Sequence, residues 1–597
     1  MKILSYPFDN SLILKKKRSI KKQLLSDNST RIKKKIAVLG GSTTDEIVNI
    51  LELFLLNYGI EPVFYQSEYA QYWQDAVFGN EELDSFNPDI IYIHTTSRNI
   101  TEFNISMTAS QSEIDDMLSK QYNHFKSAWT ALKNKFKCPI IQNNFEMPFY
   151  RFLGNKDVSD YRGKTNFLNR LNNMFYSYSQ DNDNFYINDI NYISASYGLQ
   201  KWSDPGSWYM YKYALCTTAI PELSFNIANI IKSIYGKNKK MLVLDLDNTL
   251  WGGVIGDNGQ QGIDIGHETG LSEAYTEFQE YIKVHKQLGI LLAVDSKNDY
   301  ENAIDGLNHP DTVLTPDDFV TIKANWNTKD LNIEEISNEV SILTDSFVFV
   351  DDNPAEREIV SAQIQGIAVP DIDSVESYIK ALDRNGYFEL TSYTTDDIKR
   401  NDMYQANIKR LKSEKSFANY DEYLKSLEMS ALIDDFDPVY LSRIVQLTNK
   451  SNQFNLTTKR YTQTEMENVL YYNNYIRLYG KLTDKFGDNG VVSVVIGHKE
   501  YNNLHIDLWL MSCRVLKRNM EYAMLDTLVN KCLENNIDNI YGYYYKTAKN
   551  SMVKDLFLDF GFKLMSEDEN GNRVFTFNIN NYSPKNNVIK IYNNGGF

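Results

Sequence analysis

The sequence predicts an α/β protein of three domains, two built on parallel sheets and a third of α+β type. Short apolar strands alternate with helical patterns up to about residue 385, whereas beyond it strands follow one another more directly. The chain has 597 residues, which is more than one hydrophobic core organises. We place the domains at 1–235, 236–385 and 386–597.

The chain begins with a basic stretch that contains Lys15–Arg18 and Lys21-Lys22. It has no apolar segment followed by a small-residue cleavage site, so we do not expect it to be a secretory signal. We predict an amphipathic helical arm in preference to a membrane-binding or carrier-docking arm. Its inward side chains are predicted to be Ile13, Leu14, Ile20, Leu24 and Leu25.

The first domain opens its sheet with a strand at 35–39, the turn Gly40–Thr43 and an apolar helix pattern. Apolar strand, glycine turn and polar helix cap in this order indicate a βα unit. Strands that alternate with helices imply a parallel sheet with helices on both faces. Further strands are predicted at 62–65, 89–94 and 138–143.

Each predicted strand of the middle domain runs into polar residues. Because the carboxyl ends of parallel strands meet at one edge of a sheet, the side chains that follow them should converge on one site. The strands are 241–246, 289–294 and 346–350, and the polar side chains are Asp245, Asp247, Asp295, Ser296, Asp351 and Asp352.

This set supplies what phosphoryl transfer needs: a nucleophile, an acid/base, a hydrogen-bond donor and positive charge. Asp245 and Asp247 lie two residues apart and can flank one reacting centre, as nucleophile and acid/base. Ser296 can donate to a phosphoryl oxygen. Lys329 adds the positive charge and is preferred to Lys323, because a helix after Lys329 returns the chain to the sheet edge.

The same edge offers oxygen ligands for Mg²⁺, which we predict to be held by Asp245, Asp247, Asp351 and Asp352. About 40 residues separate Asp247 from the next core strand, and they must include a helix at 271–288. A substantial lid domain does not fit there, so the site should be open. An open site suits a macromolecular partner or cover from neighbouring domains.

The last domain is predicted to place helices at 398–428 and 438–450 around a run of strands. Three strands precede a helix at 519–535, and two strands follow it, which gives the domain its α+β character. The predicted strands are 474–482, 490–498, 505–509, 540–545 and 574–579.

Composition excludes several classes of function. The net charge of −16 argues against a general nucleic-acid binder, and no apolar run is long enough for membrane insertion. Four separated cysteines without a Cys-x-x-Cys pair indicate a reducing cytoplasm and no structural zinc site.

The middle domain resembles the haloacid-dehalogenase-like (HAD) phosphohydrolases, with a Rossmann-like sheet and a minimal cap. Asp245–Thr249, the Ser296 segment, Asn325–Lys329 and Phe349–Glu358 are similar to the FkbH-like, subfamily IIIC branch. The resemblance covers most of the chain and is strongest in the middle and last domains. It implies that a phosphorylated donor such as 1,3-bisphosphoglycerate loads a glyceryl or related hydroxyacyl unit as a thioester on an acyl carrier protein, with removal of phosphate.

One position departs from that family. Asp295 stands before Ser296, where glyceryl-loading members often carry Cys. A carboxylate is a poor substitute for a thiolate in thioester exchange. The chain is therefore expected to use another acyl acceptor or to act as a plain phosphatase.

The first domain resembles SGNH-type hydrolases on a flavodoxin-like sheet. Ser42 lies on the turn between strand and helix, where backbone N–H groups could hold an oxyanion. This makes Ser42 a candidate nucleophile, although a helix-capping role is the favoured interpretation. The Gly-x-Asn element and closing Asp-x-x-His of that family are not evident.

The last domain resembles GNAT acetyltransferases, in which a turn of form Arg-x-x-Gly-x-Gly/Ala binds a pyrophosphate. Arg514 matches and is the candidate cofactor-binding residue, whereas Lys517 and Asn519 occupy both glycine positions. A carrier-docking or acyl-handling role is therefore preferred to use of acetyl-CoA. Cys513, beside basic residues, is the remaining candidate for an acyl-bearing thiol, with a structural thiol as the alternative.

Three functions remain open from the sequence. The first is the Mg²⁺-dependent phosphatase/acyltransferase that builds a glyceryl-type thioester on a carrier protein in secondary-metabolite, polyketide or glycan biosynthesis. The second is a phosphatase on a small sugar or acid phosphate, with both flanking domains as scaffold. The third is a non-catalytic carrier-binding module. The filled catalytic positions argue against the third.

Overall fold

A five-stranded parallel sheet forms the centre of the first compact unit, Met1–Ile234 with Thr462–Glu465. The computed structural model describes residues 1–27, 31–104, 106–414 and 416–593. The strand order is β2-β1-β3-β4-β5, and each neighbouring pair is parallel. The strands are β1 (Ile32–Gly40), β2 (Ile60–Gln66), β3 (Ile90–His94), β4 (Ile140–Asn143) and β5 (Phe185–Asn188).

The fold of this unit confirms the predicted parallel α/β arrangement, and it adds β5, which sequence patterning missed. β5 is short, and half of its side chains are only partly buried, so it lacks a continuous apolar run. Its helices are Asn10–Ser26, Asp45–Asn57, Tyr72–Val77, Glu81–Phe86, Gln111–Phe136, Lys164–Asp181, Ile190–Tyr197, Leu199–Trp202, Pro205–Tyr211 and Ile220–Ile234.

The N-terminal arm is a helix, Asn10–Ser26, that packs on helix Asp45–Asn57. Lys17 and Lys21 form ion pairs with Glu46 and Glu52 of that helix. Three of the five predicted inward side chains are buried, but Leu25 is 51% exposed and Leu14 is half-buried. The predicted inward face was wrong at Leu25, because the apolar stripe of a helix narrows where its last turn leaves the core.

The second compact unit, Tyr235–Tyr461 with Met466–Phe597, contains two sheets. Its first sheet is parallel, with the order β8-β7-β6-β9. Alternate residues of its central strand pack on opposite faces, Leu242 and Leu244 on one and Met241 and Val243 on the other. The strands are β6 (Met241–Leu244), β7 (Leu291–Ser296), β8 (Thr321–Ala324) and β9 (Phe347–Val350).

Helices connect these strands. β8 was not predicted, because three of its four side chains are only partly buried. The helix predicted at 271–288 is Gly270–Gln287. Helices of this region are Ile255–Asn258, Gly270–Gln287, Tyr300–Leu307, Lys329–Val340, Pro354–Gln363 and Val375–Arg384.

The second sheet of this unit is mostly antiparallel, with the order β15-β16-β14-β13-β12-β11-β10-β17. Its parallel contacts are β13 with β14 and β10 with β17. The strands are β10 (Ser430–Asp435), β11 (Tyr475–Asp484), β12 (Gly487–Glu500), β13 (Asn503–Met511), β14 (Asn539–Tyr544), β15 (Lys563–Glu567), β16 (Arg573–Asn578) and β17 (Lys590–Tyr592).

The helical region predicted at 398–428 contains two helices, and β10 lies before the next helix. Among the described helices of the chain, none has both the length and the apolar character needed to cross a membrane. The helices here are Thr395–Ile398, Arg400–Glu414, Tyr420–Ser426, Leu441–Lys450, Gln463–Tyr471, Met520–Glu534 and Leu556–Asp559.

Candidate active site

The candidate active site begins in the turn that follows β6. The backbone N–H of Asp245 donates to the carbonyl of Val350 at 3.0 Å, which continues the β6–β9 pairing past the end of both strands. Asn248 adopts a left-handed conformation (φ 53°) that Asn tolerates better than most residues. The hydroxyl oxygen of Thr249 accepts from the N–H of Asp352 at 3.1 Å. These contacts hold the ends of β6 and β9 together.

A second set of hydrogen bonds fixes the turn after β9. The Arg357 guanidinium donates to the backbone carbonyls of Asp351 and Asp352 at 2.8 and 2.7 Å, and to that of Ile372 at 2.9 Å. The N–H of Asn353 donates to the Asp351 carboxylate at 2.8 Å. Arg357 is a positioning residue that sequence reasoning missed, because nothing in the spacing shows that its side chain returns to the strand end.

Three carboxylates and one ammonium meet at this edge of the sheet. Oxygens of Asp245, Asp351 and Asp352 lie within 4.8 Å of one another. The Nζ of Lys329 lies 2.9 Å from Asp245 and 2.5 Å from Asp351. Lys329 is 3% exposed and begins the helix Lys329–Val340. The competing Lys323 instead forms ion pairs away from this cluster, with glutamates of the same helix.

The pKa values in this cluster report a shortage of positive charge. Burial, together with the Asp245 carboxylate, raises the pKa of Asp351 to about 6, although Lys329 opposes both. Burial and Asp245 also raise the pKa of Asp352. Burial by itself lowers the pKa of Lys329, but Asp245 and Asp351 outweigh it and hold that pKa above its usual value. Three carboxylates against one ammonium leave two unbalanced negative charges.

The cluster fits a divalent cation in charge and in donor type. Carboxylate oxygens are the ligands that Mg²⁺ prefers in proteins, and a divalent ion balances the two excess negative charges. Asp245, Asp351 and Asp352 would hold it. The fourth predicted ligand, Asp247, does not belong to this group of side-chain oxygens, and its part in metal binding stays a prediction.

The Asp247 carboxylate is held in one orientation by three donors. Trp251 Nε1 and the N–H of Ile255 donate to one oxygen at 2.9 and 3.1 Å, and Asn298 Nδ2 donates to the other at 2.8 Å. Trp251 is fully buried, so its indole N–H has a structural reason to find a partner. Trp251 and Asn298 were missed as positioning residues, although Trp251 lies only four positions beyond Asp247.

Ser296 and Asp295 end β7 and lie on opposite faces of it. Asn298 also donates to the hydroxyl of Ser296 at 3.2 Å, which places Ser296 beside Asp247. Asp295 is fully buried; one oxygen accepts from Asn332 at 2.9 Å, and the other has no partner among the described atoms. Burial raises the pKa of Asp295 to about 7 despite the opposing charge of Lys329.

The rim of the site carries no domain-sized insertion. Two short helical turns, Ile255–Asn258 and Gln260–Gly262, fill the described chain between Thr249 and the helix Gly270–Gln287. A bridge between Gly252 and Asp264 closes this small flap. The structure thus confirms the minimal cap.

Comparisons with known proteins identify this architecture. Residues 35–232 match the family described as FkbH, N-terminal domain. A crystal structure of the N-terminal part of the protein BF1531 from Bacteroides fragilis, described as containing a phosphatase domain complexed with Mg, is 30% identical. The match covers 63% of this chain and 98% of that chain, with a TM-score of 0.58.

The chain belongs to the family of this phosphatase-domain protein. The FkbH match lies in the first domain, where the sequence resemblance was weakest. The likeness to this protein, which covers 63% of the chain, is therefore joined by a family match that lies outside the Asp245 cluster. No protein with a curated description matches the sequence.

Acetyltransferase structures are similar to a smaller part of this chain. A ribosomal-protein-S18-alanine N-acetyltransferase from Escherichia coli is 11% identical over 25% of this chain and 94% of that chain, with a TM-score of 0.20. PaiA N-acetyltransferase from Thermoplasma acidophilum, solved with coenzyme A, is 13% identical over 25% and 99%, with a TM-score of 0.21. Likeness at this level assigns no activity or ligand.

Ser42 lies at the carboxyl edge of the first sheet and is 2% exposed. The favoured capping role was wrong, because the helix begins at Asp45 with Thr44 as its N-cap. The Ser42 hydroxyl and the Nε2 of His94 are buried without partners among the described atoms. Burial lowers the pKa of His94 to about 4. Catalysis by Ser42 stays a prediction.

Arg514 and Cys513 follow β13 in a short helical turn, Cys513–Val515. Arg514 is 5% exposed; its Nε donates to the Ser512 hydroxyl at 3.2 Å and its Nη1 contacts the sulfur of Met403. Cys513 is half-buried, with its Sγ 3.2 Å from the Tyr404 hydroxyl. Both side chains therefore face the helix Arg400–Glu414.

Lys517 and Asn519 adopt the left-handed backbone conformation that glycine adopts most easily. Their φ values are 63° and 60°, in the left-handed region that disfavours side chains. The Lys517 carbonyl is held by the hydroxyl of Tyr420 at 2.5 Å. The resemblance in this turn is thus one of backbone shape, with side chains added at both glycine positions.

The gap between β13 and β14 is filled by the chain itself. These strands pair over three residues each, and beyond that point residues 454–457 lie between them. Leu456 donates to the Trp509 carbonyl at 3.0 Å and accepts from the N–H of Tyr545 at 2.9 Å. Met511 donates to the Phe454 carbonyl at 2.9 Å. These backbone groups are therefore paired within the chain.

Proposed function

We propose that this chain is a Mg²⁺-dependent phosphatase/acyltransferase of the FkbH type. It would form a glyceryl or related hydroxyacyl thioester on an acyl carrier protein from a phosphorylated donor such as 1,3-bisphosphoglycerate, with removal of phosphate. The observation that carries the phosphatase part is the meeting of Asp245, Asp351, Asp352 and Lys329 at one sheet edge. The likeness to a phosphatase domain complexed with Mg supports it.

In the proposed phosphatase reaction the Asp245 oxygen attacks phosphorus while the bond to the leaving oxygen breaks. Asp247, oriented by Trp251 and Asn298, gives its proton to that oxygen and then takes one from the water that hydrolyses the aspartyl phosphate. Bound Mg²⁺ would neutralise charge on the phosphoryl oxygens. Ser296 would donate to one of these oxygens.

Two observations support the acyl-transfer part of the proposal. The FkbH match and the small flap over the active site are compatible with a substrate delivered on a carrier protein. Cys513 is the candidate thiol, and Arg514 the candidate for binding an anionic group beside it. All four cysteines are free, and a reducing cytoplasm, where we place the reaction, would keep them so.

One observation favours the simpler alternative, a phosphatase on a small sugar or acid phosphate with scaffold flanks. Lys240, which lines the same cavity as Cys513, precedes β6, whereas Asp245 follows it. Five residues of extended chain span about 16 Å, so a small substrate cannot contact both ends at once. The loading reaction thus requires two separate steps at two sites.

The test incubates the full chain with Mg²⁺, 1,3-bisphosphoglycerate and a holo carrier protein and weighs the carrier by intact mass. If the chain loads the carrier, a glyceryl adduct should appear on it. The adduct should be lost in Cys513→Ser and retained in the matched control Cys216→Ser. In Asp245→Asn the adduct should still carry its phosphate. Phosphate release without any adduct would favour the simpler phosphatase. Absence of turnover on every phosphate ester tried would leave neither proposal standing.

A further inference from the structure

A polar cavity lies at the amino edge of the sheet β8-β7-β6-β9, between this sheet and the one that follows it in the same compact unit. Lys240 lines it just before β6, and Ser346 lines it just before β9. Its other walls are helix Arg400–Glu414, helix Leu441–Lys450 and the Cys513 turn. The cavity volume is about 80 Å³. A buried water occupies about 10–15 Å³ on this measure, so there is room for several waters or a small anion.

The charged groups that line this cavity are mostly cationic. Three carboxylates form one ion pair each: Asp396 with Arg443 at 2.9 Å, Asp397 with Lys450 at 3.3 Å, and Asp345 with Lys549. The lining holds six cationic side chains in all, which leaves an excess of three positive charges. The six are Lys240, Arg400, Arg443, Lys450, Arg514 and Lys549.

The three cations without a carboxylate partner carry this excess. Within the described part of the chain, no ion pair involves Lys240, Arg400 or Arg514. Lys240 donates to the Lys450 carbonyl at 3.1 Å, and the Arg400 guanidinium lies 6.0 Å from the centre of the Tyr404 ring. Arg514 Nη2 is buried and has no partner among the described atoms. A buried guanidinium N–H without an acceptor is costly, so this donor indicates a ligand.

The protonation equilibria agree with a missing counter-charge. Burial lowers the pKa of Lys450 to about 7, with Arg400 and Arg443 adding to the effect and Asp397 opposing it. Burial also lowers the pKa of Lys240 to about 8. An anion placed among these groups would favour their charged forms.

We propose that this cavity binds a phosphate group, either as inorganic phosphate or as the phosphate of a small acid. The Arg400 guanidinium offers planar pairs of donors that match phosphate oxygens, Arg514 Nη2 offers its buried N–H groups, and Lys240 adds a compact charge. The Tyr404 hydroxyl and the Cys513 thiol supply neutral donors at the same wall. This site lies at the opposite edge of the sheet from Asp245, so it is a second phosphate site and does not depend on the proposed phosphatase function.

The direct test uses Cys513 as a reporter in the unmodified full chain. Each cysteine is alkylated with iodoacetamide in the presence of EDTA and increasing concentrations of inorganic phosphate or 3-phosphoglycerate. Peptide mass spectrometry then measures the extent of labelling at each cysteine. Bound phosphate should slow labelling of Cys513 and leave Cys216, in the other compact unit, unchanged. A stronger effect of one probe identifies the source of the phosphate group. Glycerate, which lacks phosphate, should have no effect.

Variants test the contacts. Arg514→Met should weaken the protecting effect of phosphate about tenfold or more, because a hydrogen bond to a charged group is lost. Arg514→Lys should restore part of it, and the surface variant Lys531→Met should match the unmodified chain. Should Arg514→Met fold poorly, anomalous scattering from tungstate in crystals of the unmodified protein locates the anion instead.

Results of three kinds would overturn the assignment. The first is labelling of Cys513 that no phosphate compound changes. The second is equal protection by glycerate, which would make this a general anion site. The third is protection that persists in Arg514→Met, or tungstate that binds only elsewhere. Loss of phosphatase activity in other variants would not bear on any of these, because the reporter is local to the cavity.

Discussion

The two edges of the sheet β8-β7-β6-β9 carry opposite charge. At the carboxyl edge, three aspartates face one lysine and leave two negative charges unbalanced. At the amino edge, six cations face three aspartates. The same two strands, β6 and β9, connect both edges. Their difference shows how one buried sheet separates two electrostatic environments, one suited to a divalent cation and the other to an anion.

Removal of the candidate nucleophile at the carboxyl edge should have the strongest consequence. Asp245→Asn should reduce kcat for phosphate-ester hydrolysis about 10³-fold or more, because an amide oxygen is a poor nucleophile. Release of inorganic phosphate in the presence of Mg²⁺ measures this. Asp257→Asn, an exposed carboxylate in the flap, is the control and should behave like the unmodified chain. Comparable activity in both variants would remove Asp245 from the reaction.

Lys329→Met should break the charge balance of the same edge. Without the ammonium, Asp245 and Asp351 remain buried together, and loss of a buried ion-pair partner costs about 3–5 kcal/mol. The free energy of unfolding in urea, measured without Mg²⁺, should fall accordingly and recover in part when Mg²⁺ is added. Lys323→Met removes a lysine paired at the helix surface and should cost about 1 kcal/mol or less. Equal losses would contradict the special role of Lys329.

Acid should weaken the binding of Mg²⁺. The pKa of Asp351 in the metal-free protein is raised to about 6, chiefly by burial and then by Asp245. Below pH 6 a proton competes with the metal, and the Kd for Mg²⁺ from calorimetry should rise by up to about tenfold per pH unit.

Acid should stabilise the metal-free protein, although it weakens the binding of Mg²⁺. The folded-state pKa of Asp351 lies above its unfolded value of about 4, so the folded state binds this proton more tightly. The group therefore destabilises the metal-free fold above pH 6, and acidification from about pH 6 to pH 4 relieves that cost. A Mg²⁺ affinity that stays constant between pH 5 and pH 7 would contradict the raised pKa of Asp351 and its part in binding the metal.

The smallest effect concerns the loop that carries Cys513 and Arg514 into the amino-edge cavity. Lys517→Gly should stabilise the protein by up to about 1 kcal/mol, because glycine accepts the left-handed backbone at this position. Asn519→Gly should gain less, since Asn tolerates that conformation. Lys517→Ala is the control and should bring no gain. Destabilisation by Lys517→Gly would show that the lysine side chain stabilises the loop.

Several features of the fold followed from local patterns. The apolar runs of β6, β7 and β9 are buried on both faces of the sheet, and such runs are visible in sequence. The helix Gly270–Gln287 has a regular amphipathic period and was predicted within one residue at each end. β5, β8 and β10 were missed because they are short or only partly buried.

The active-site carboxylates were also accessible to sequence reasoning, since each follows a predicted strand. The groups that orient them were not. These groups belong to Trp251, Asn298 and Arg357. The direction of their side chains depends on packing, and the spacing of residues in the sequence does not predict it.

Local sequence patterns were enough to predict that polar residues end several parallel strands, and therefore that Asp245 and Asp351 meet at one edge. It could not determine the charge of the other edge. The cations there come from Lys240, Arg400, Arg443, Lys450, Arg514 and Lys549, which are separated by up to about 300 residues along the chain. Tertiary structure alone brings them together, because electrostatic interactions depend on distance in space and not on distance in sequence.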